Sequence, residues 1–345
     1  MIEIITFHKS VNYGALLQSL SLKEFIENQF KTKVYMCEYH PKKLLFAEYY
    51  RPMLTKKIDK LFQTIQKNYK IQRWKKKAFG KDVLINRNKI KLNIYGSDEI
   101  WNFNNAYHGY DPFYFGQNNN LNKIAYAVSI GRSNADLTDL NLKNDISIYL
   151  EKFNKISVRD QNTFLFVKKL TNLEPEIVLD PTLVYTPKIL NDQNYISLKI
   201  KEEYVMVYGT VFSANQQKLI NEFCKKRNLK IISVGYYNRW IKNNYLSLNP
   251  TNFIDVLKNS SYVFTSMFHG VVFSVKFSKQ FYFSLDPIRK NKIESFINNL
   301  NLNDRIILDG INENYIDYKE LNKTLNLLIL KSQKFLGDNI RQFCK

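Results

Sequence analysis

Short apolar runs alternate along the chain with longer stretches whose apolar residues recur at helical spacing. The first run, residues 2–7, predicts a buried strand. A loop holding Asn12-Tyr13-Gly14 follows, and then Leu16, Leu20 and Phe25-Ile26 predict a helix over 15–30. Further strands are predicted at 33–39, 91–95, 123–129, 155–158 and 177–179, with helices at 140–153 and 160–170. A polar stretch, 186–194, interrupts the pattern. The alternation then restarts, with strands at 204–208, 230–234, 262–265 and 280–285 and helices at 214–227, at 252–259 and from Val271. An amphipathic helix over 318–342 ends it. Strands alternating with helices build parallel sheets. The expected fold class is therefore α/β, with two Rossmann-like domains facing across a cleft, residues 1–188 and 189–345. The C-terminal helix is free to pack back on the first domain. Ligands of such sheets bind at the carboxyl ends of the strands, beside helix N-termini.

Composition narrows the class. With 45% apolar and 24% charged residues, the 345-residue chain reads as an ordinary globular protein. No apolar run approaches the roughly 20 residues of a membrane-spanning helix, and the first residues lack the basic start and cleavage site of a signal peptide. A cytoplasmic location is expected. Three scattered cysteines, Cys37, Cys224 and Cys344, give neither a disulfide framework nor a zinc site. Four histidines show no metal-binding spacing, so no metal is expected. The net charge of +20 is concentrated between Pro41 and Lys91, where sixteen basic residues face only Glu48, Asp59 and Asp82, a local excess of +13. Two readings stand for this basic helical insertion, residues 41–91. It is a solvated helical face, or it binds an anionic membrane surface with help from Tyr49, Tyr50, Phe62, Tyr69, Trp74 and Phe79. No recognised nucleic-acid motif accompanies the charge, and no nucleic-acid partner is expected.

Dinucleotide and Walker-type phosphate motifs are missing, as is a GxSxG nucleophile elbow. Chemistry must come from polar residues at strand ends. Arg159 lies between an apolar strand and a helix, where it either grips an anion through its planar fork or pairs with a surface acid. His269, between Phe268 and Gly270, is either a general acid/base or a structural histidine. Asp98 could hold a substrate hydroxyl or cap a helix. Asn12 and Gly14 either bind a sugar or shape their turn. Asp180, before Pro181, reads as a strand terminator.

In order along the chain, several segments resemble the motifs of the polysaccharide pyruvyl transferase family. Thr6-Phe7-His8 with Asn12-Tyr13-Gly14-Ala15-Leu16-Leu17-Gln18 is similar to its N-terminal signature. Gly96-Ser97-Asp98-Glu99-Ile100-Trp101-Asn102 resembles GSDQIWN, and Tyr126-Ala127-Val128-Ser129-Ile130-Gly131 resembles YAASFG. Ser157-Val158-Arg159-Asp160 is similar to SVRE, Val178-Leu179-Asp180-Pro181-Thr182 to VLDPT, and residues 265–273 to TDSFHGTVF. Ser266-Met267 stands where the family has Asp-Ser, Glu99 replaces a Gln, and Gln280 replaces a Pro.

The resemblance implies a GT-B-like fold, with a donor side in the second domain and an acceptor side in the first. It implies transfer of pyruvate from phosphoenolpyruvate to two hydroxyls of one sugar, forming a ketal and releasing phosphate, in bacterial surface polysaccharide biosynthesis. No cofactor is implied; phosphoenolpyruvate enters as donor substrate. Arg159 and His269 are implied in donor binding and catalysis, with Asp98 as a third catalytic residue. Gly270, Lys292, Arg289 and Lys290 are further donor-side residues; Asn12, Tyr13, Gly14, Asp98 and Trp101 fall on the acceptor side, with Trp101 expected to stack on the sugar. The acceptor partner would be a lipid-linked oligosaccharide or glycan repeat unit at the inner face of the cell membrane. Two alternatives remain at this level, a nucleotide-sugar glycosyltransferase of the same architecture and a non-catalytic membrane-associated scaffold.

Overall fold

The computed structural model describes residues 1–80, 87–191, 198, 200–285 and 290–344. Two parallel sheets organise it. The first takes the order β2-β1-β3-β4-β5-β6, from β1 (Ile2–Ile5), β2 (Val34–Met36), β3 (Leu92–Tyr95), β4 (Asn122–Val128), β5 (Lys155–Val158) and β6 (Glu176–Ile177). The second takes the order β11-β10-β7-β8-β9, from β7 (Tyr204–Tyr208), β8 (Lys230–Val234), β9 (Asn243–Tyr245), β10 (Tyr262–Thr265) and β11 (Phe281–Phe283). Every residue of β1, β3 and β7 is buried, as expected of parallel strands covered on both faces.

Eleven α-helices are described. In the first half they are α1 (Tyr13–Phe30), α2 (Lys42–Leu45), α3 (Ile58–Phe79), α4 (Leu140–Leu150), α5 (Gln161–Leu170) and α6 (Pro181–Val184). The remainder are α7 (Ala214–Lys226), α8 (Pro250–Asn259), α9 (Phe268–Lys276), α10 (Lys290–Asn299) and α11 (Tyr318–Phe343). Side-chain caps start most of them. Asn12, Asp139, Asp160, Asp180, Ser213 and Asn249 each accept a backbone N–H of the first turn, satisfying donors a helix leaves unpaired. The pattern in the sequence had not signalled β9, α6 or α10. Helix α9 also begins at Phe268 rather than Val271, which puts His269 in its first turn.

The halves share one interior. A single apolar cluster runs from Ile4 and Leu16 in the first sheet region through Phe253 and Val272 in the second to Phe335 and Leu336 of α11. Helix α11 lies against the first half, where Leu179 N donates to Ser332 Oγ at 2.9 Å and the Phe335 ring meets Tyr126. Across the seam, Tyr13 donates its hydroxyl to Leu248 O at 3.1 Å, and Lys276 Nζ donates to Thr182 O.

The basic insertion crosses the same seam. Trp74 is buried and donates to Thr251 Oγ1 at 2.9 Å, Lys70 Nζ donates to Ser247 O at 2.8 Å, and Leu246 N donates to Gln63 Oε1 at 3.1 Å. Part of the expected solvated face is therefore turned inward. Among the aromatic residues, Tyr50, Phe62 and Tyr69 are exposed, whereas Trp74 is core and Tyr49 and Phe79 are partly buried. Among the described residues, no helix is long and apolar enough to cross a membrane.

Candidate functional site

Strand ends from both sheets converge on one cavity of about 270 Å³. The first half contributes Asn12 from the loop after β1, Asp98 after β3, Arg132 after β4 and Arg159 after β5. The second half contributes Met267, Phe268 and His269, where β10 turns into α9. Parallel strands all end on the same side of their sheet, so two such sheets set face to face bring these ends together.

Behind Arg159 and His269 lies Asp180, with a side chain wholly shielded from solvent. Its Oδ1 caps α6 by accepting Thr182 N at 3.0 Å and the Thr182 hydroxyl at 2.7 Å. Its Oδ2 faces the cavity residues. Arg159 NH1 donates to it at 3.0 Å, Ser97 Oγ lies at 3.4 Å, and His269 Nε2 stands 3.4 Å away, in ion-pair range. Arg159 NH2 is also 3.6 Å from Asp98 Oδ1, and its guanidinium lies 4.3 Å from the centroid of the Phe268 ring. Burial alone would raise the Asp180 carboxyl, but His269, Arg159 and the Thr182 hydrogen bond hold it well below the ordinary carboxylate range. Arg159 Nε is buried and makes no hydrogen bond among the described residues, which leaves a donor on the principal cation of the site.

Glu48, from the turn after α2, closes another wall. It accepts the Ser10 hydroxyl at 2.8 Å and Val11 N at 3.2 Å, and Ser10 Oγ in turn accepts Asn12 N at 3.0 Å. The insertion thus fixes the loop that carries Asn12. Burial pushes the Glu48 carboxyl up to about 7 against these hydrogen bonds. The same desolvation brings Lys67, whose ammonium lies 4.9 Å from the Tyr13 ring centroid, down to about 8.

Several expected residues meet here and others do not. Arg159, His269, Asp98 and Asn12 all line the cavity. Gly14 serves by approach: a Cβ on it would fall 2.2 Å from His269 Nδ1, so only glycine lets α1 press against the imidazole. Trp101 must be corrected. It is fully buried, stacks on Phe115 at 5.8 Å and donates its indole N–H to Tyr114 O at 2.8 Å, so it is closed to any sugar. Tyr13 is likewise core, stacked on Phe253 and bonded across the seam. Gly270 is a packing residue whose N–H donates to Met267 O at 3.0 Å; a Cβ there would strike Thr265 Oγ1 at 2.0 Å. Arg289 lies outside the described residues, as do the side chains of Lys290 and Lys292, although Ile293 of α10 reaches the cavity. Of the departures from the family motifs, Ser266 is buried with its Oγ accepting Val211 N at 3.2 Å, and Met267 presents an apolar wall to the cavity.

Asp180, Glu48 and Arg132 escaped the sequence reading. Arg132, directly after Gly131 at the end of β4, carried a signal of the same kind as Arg159. Glu48 carried none beyond being one of three acids in a basic region.

The sequence profile of the polysaccharide pyruvyl transferase family matches residues 12–286, and the chain belongs to that family. No curated protein sequence matches it. Among solved structures, a putative UDP-N-acetylglucosamine 2-epimerase from Listeria monocytogenes is 10% identical, with 96% of this chain and 89% of that one covered at a TM-score of 0.50. The UDP-GlcNAc 2-epimerase of Neisseria meningitidis, bound to UDP-GlcNAc, is 7% identical, with 99% of each chain covered at a TM-score of 0.47. The architecture shared with the Listeria protein, two parallel α/β sheets facing one another, is the GT-B fold.

Proposed function

We propose that this member of the polysaccharide pyruvyl transferase family moves pyruvate from phosphoenolpyruvate onto two hydroxyls of one sugar, in bacterial surface polysaccharide biosynthesis. The observation that carries the reading is that Arg159 and His269, which line a cavity walled from both sheets, converge on the buried carboxylate of Asp180. Phosphoenolpyruvate is a small frame bearing a carboxylate and a phosphate. Arg159 and Arg132 suit those groups as planar forks, and the first turn of α9 adds the positive end of a helix.

The chemistry balances as follows. A proton is added to the vinyl CH₂, and one sugar hydroxyl attacks the adjacent carbon and gives up its own proton. The second hydroxyl then displaces phosphate, which leaves with the remaining proton. His269 acts as the acid/base, oriented by Asp180 and held by the flank of Gly14. Asp98, beside Arg159, accepts an acceptor hydroxyl. Asn12, whose Oδ1 caps α1 by accepting Gly14 N at 2.9 Å, lines the same half of the cavity. No cofactor enters this scheme. The acceptor is a glycan repeat unit on a lipid carrier, met at the inner face of the cell membrane, and the charge of residues 41–91 supports that placement.

The test is incubation of the purified chain with phosphoenolpyruvate and lipid-linked glycans, reading phosphate release and the mass of an added pyruvyl ketal. Nucleotide release from a nucleotide-sugar, without phosphate release from phosphoenolpyruvate, would assign glycosyl transfer instead. His269→Ala should lower turnover by about 10²–10⁴ with the fold intact; wild-type turnover in that variant removes His269 from the chemistry.

A further inference from the structure

With Trp101 in the core, the sugar needs another aromatic surface, and the loop that Trp101 anchors carries one. Among the described residues, the phenylalanine and tyrosine rings lining the cleft belong to Phe7, Tyr107, Tyr208, Tyr236 and Phe268. Most of them are already used. Phe7 is buried against His40, His108 and Tyr114, and Tyr208 is buried against Phe253. Phe268 is buried beneath the Arg159 guanidinium, and Tyr236 is half-buried beside Tyr208 in the second half. Tyr107 is 40% exposed and comes from the segment after β3 that also carries Asp98.

Its loop is built rather than loose. Asn102 Nδ2 donates to Glu99 Oε2 at 3.1 Å, and Asn102 Oδ1 accepts the Ser133 hydroxyl at 3.0 Å. Asn105 Oδ1 accepts Tyr107 N at 2.9 Å and His108 N at 3.3 Å. From the insertion, Arg51 NH1 donates to the Tyr107 hydroxyl oxygen at 3.2 Å. The Arg51 guanidinium carbon stands 5.9 Å from the Tyr107 centroid, against 3.9 Å where Arg227 stacks on Phe223. Arg51 therefore braces the tip of the ring without sealing its face. A ring held at both ends loses little freedom when a ligand lands on it.

We infer that Tyr107 is the platform on which the acceptor sugar stacks, and that it helps select which sugar is presented to the reacting centre. A sugar ring has a face of C–H bonds and a rim of hydroxyls. The electron-rich face of an aromatic ring attracts such C–H groups. Asp98, Glu99 and Asn105 line the cavity from the same segment and offer oxygens of the kind that accept hydroxyl hydrogens. An anionic donor is served instead by Arg159, Arg132 and the first turn of α9. The inference rests on the sugar acceptor of the proposed function and holds whichever donor is used.

The first test therefore omits phosphoenolpyruvate. Saturation-transfer NMR is run on the full chain with methyl β-glycosides of glucose, galactose, mannose and N-acetylmannosamine. At least one glycoside should receive saturation through its C–H protons and show upfield ring-current shifts. Tyr107→Ala should abolish both signals, whereas Tyr107→Phe, which keeps the ring and loses the Arg51 bond, should retain them. Circular dichroism checks that both variants fold. Signals that survive Tyr107→Ala overturn the inference, as do equal losses in the two variants or a wild-type chain that binds none of the four. In turnover on lipid-linked glycans, Tyr107→Ala should raise the acceptor KM by about 10-fold or more. The KM for phosphoenolpyruvate should stay unchanged; an equal rise in both KM values makes Tyr107 a structural residue and overturns the platform. Glycoside binding that depends on Tyr107, without phosphate release from phosphoenolpyruvate in the wild type, supports the platform and removes the pyruvyl donor.

Discussion

Asp180→Asn isolates the buried charge behind Arg159 and His269. The substitution keeps an oxygen able to cap α6 through Thr182 N, now at 3.0 Å, and removes the carboxylate 3.0 Å from Arg159 and 3.4 Å from His269. Arg159, whose side chain is 3% exposed, keeps Asp98 at 3.6 Å as its acid among the described residues. Removing one partner of a buried ion pair costs about 3–5 kcal/mol. The retained cap and Asp98 place the expected loss at the lower end, about 3 kcal/mol near pH 7. The sign of the pH dependence follows from the depressed carboxyl of Asp180. Its stabilisation is complete above the unfolded value, about pH 4, and is lost as pH falls through the lower folded value. Urea unfolding followed by fluorescence should therefore show a lower midpoint for the variant at pH 7 and a gap that narrows in acid. Phosphate release should fall with it, since both Arg159 and His269 lose their common partner. A variant within about 0.5 kcal/mol of wild type at pH 7 would refute the reasoning, because surface changes of no structural account fall in that range.

Two further outcomes are expected. Gly14→Ala sets a methyl 2.2 Å from His269 Nδ1 and must displace the ring; overpacking costs about 1–3 kcal/mol, and turnover should drop about 100-fold as the acid/base leaves its position. Unchanged turnover in a folded variant would show that the imidazole's placement does not matter. Glu48 has a carboxyl raised to about 7, so the folded state keeps a proton that the unfolded chain releases from about pH 4.5 upward. That contribution is complete below pH 4.5 and disappears as pH rises through 7, so Glu48→Gln should gain roughly 2–3 kcal/mol relative to wild type between pH 5 and 8. A difference that stays flat across that range counts against a buried, proton-holding Glu48.

Much of the architecture was legible because parallel strands are short and apolar throughout. The runs at β1, β7, β8 and β10 announce themselves, and the polar residue just past each strand marks the cleft. Side-chain direction was not legible. Trp101 and Tyr13 sit beside cleft residues in sequence, but each is a large ring whose one polar atom finds a backbone carbonyl in the core, and spacing does not reveal which way such a ring turns. Asp180 was hidden by its double use. An aspartate before proline is a familiar helix cap, and one oxygen does cap α6, while the other holds Arg159 and His269 together. Helix α10 was missed because Lys, Asn, Glu and Ser dilute its apolar face.

The insertion leaves the first half after β2, touches the second through Lys70 and Trp74, and returns to β3. It is a crossbar over the gap between two bodies. If they rock as substrates enter and products leave, α3 has to slide or tilt with them, and the exposed side chains of Ile58, Phe62, Ile65 and Tyr69 along its outer side tilt too. A contact made by those side chains with a surface would therefore resist or assist the rocking, coupling where the protein is seated to how readily its jaws open.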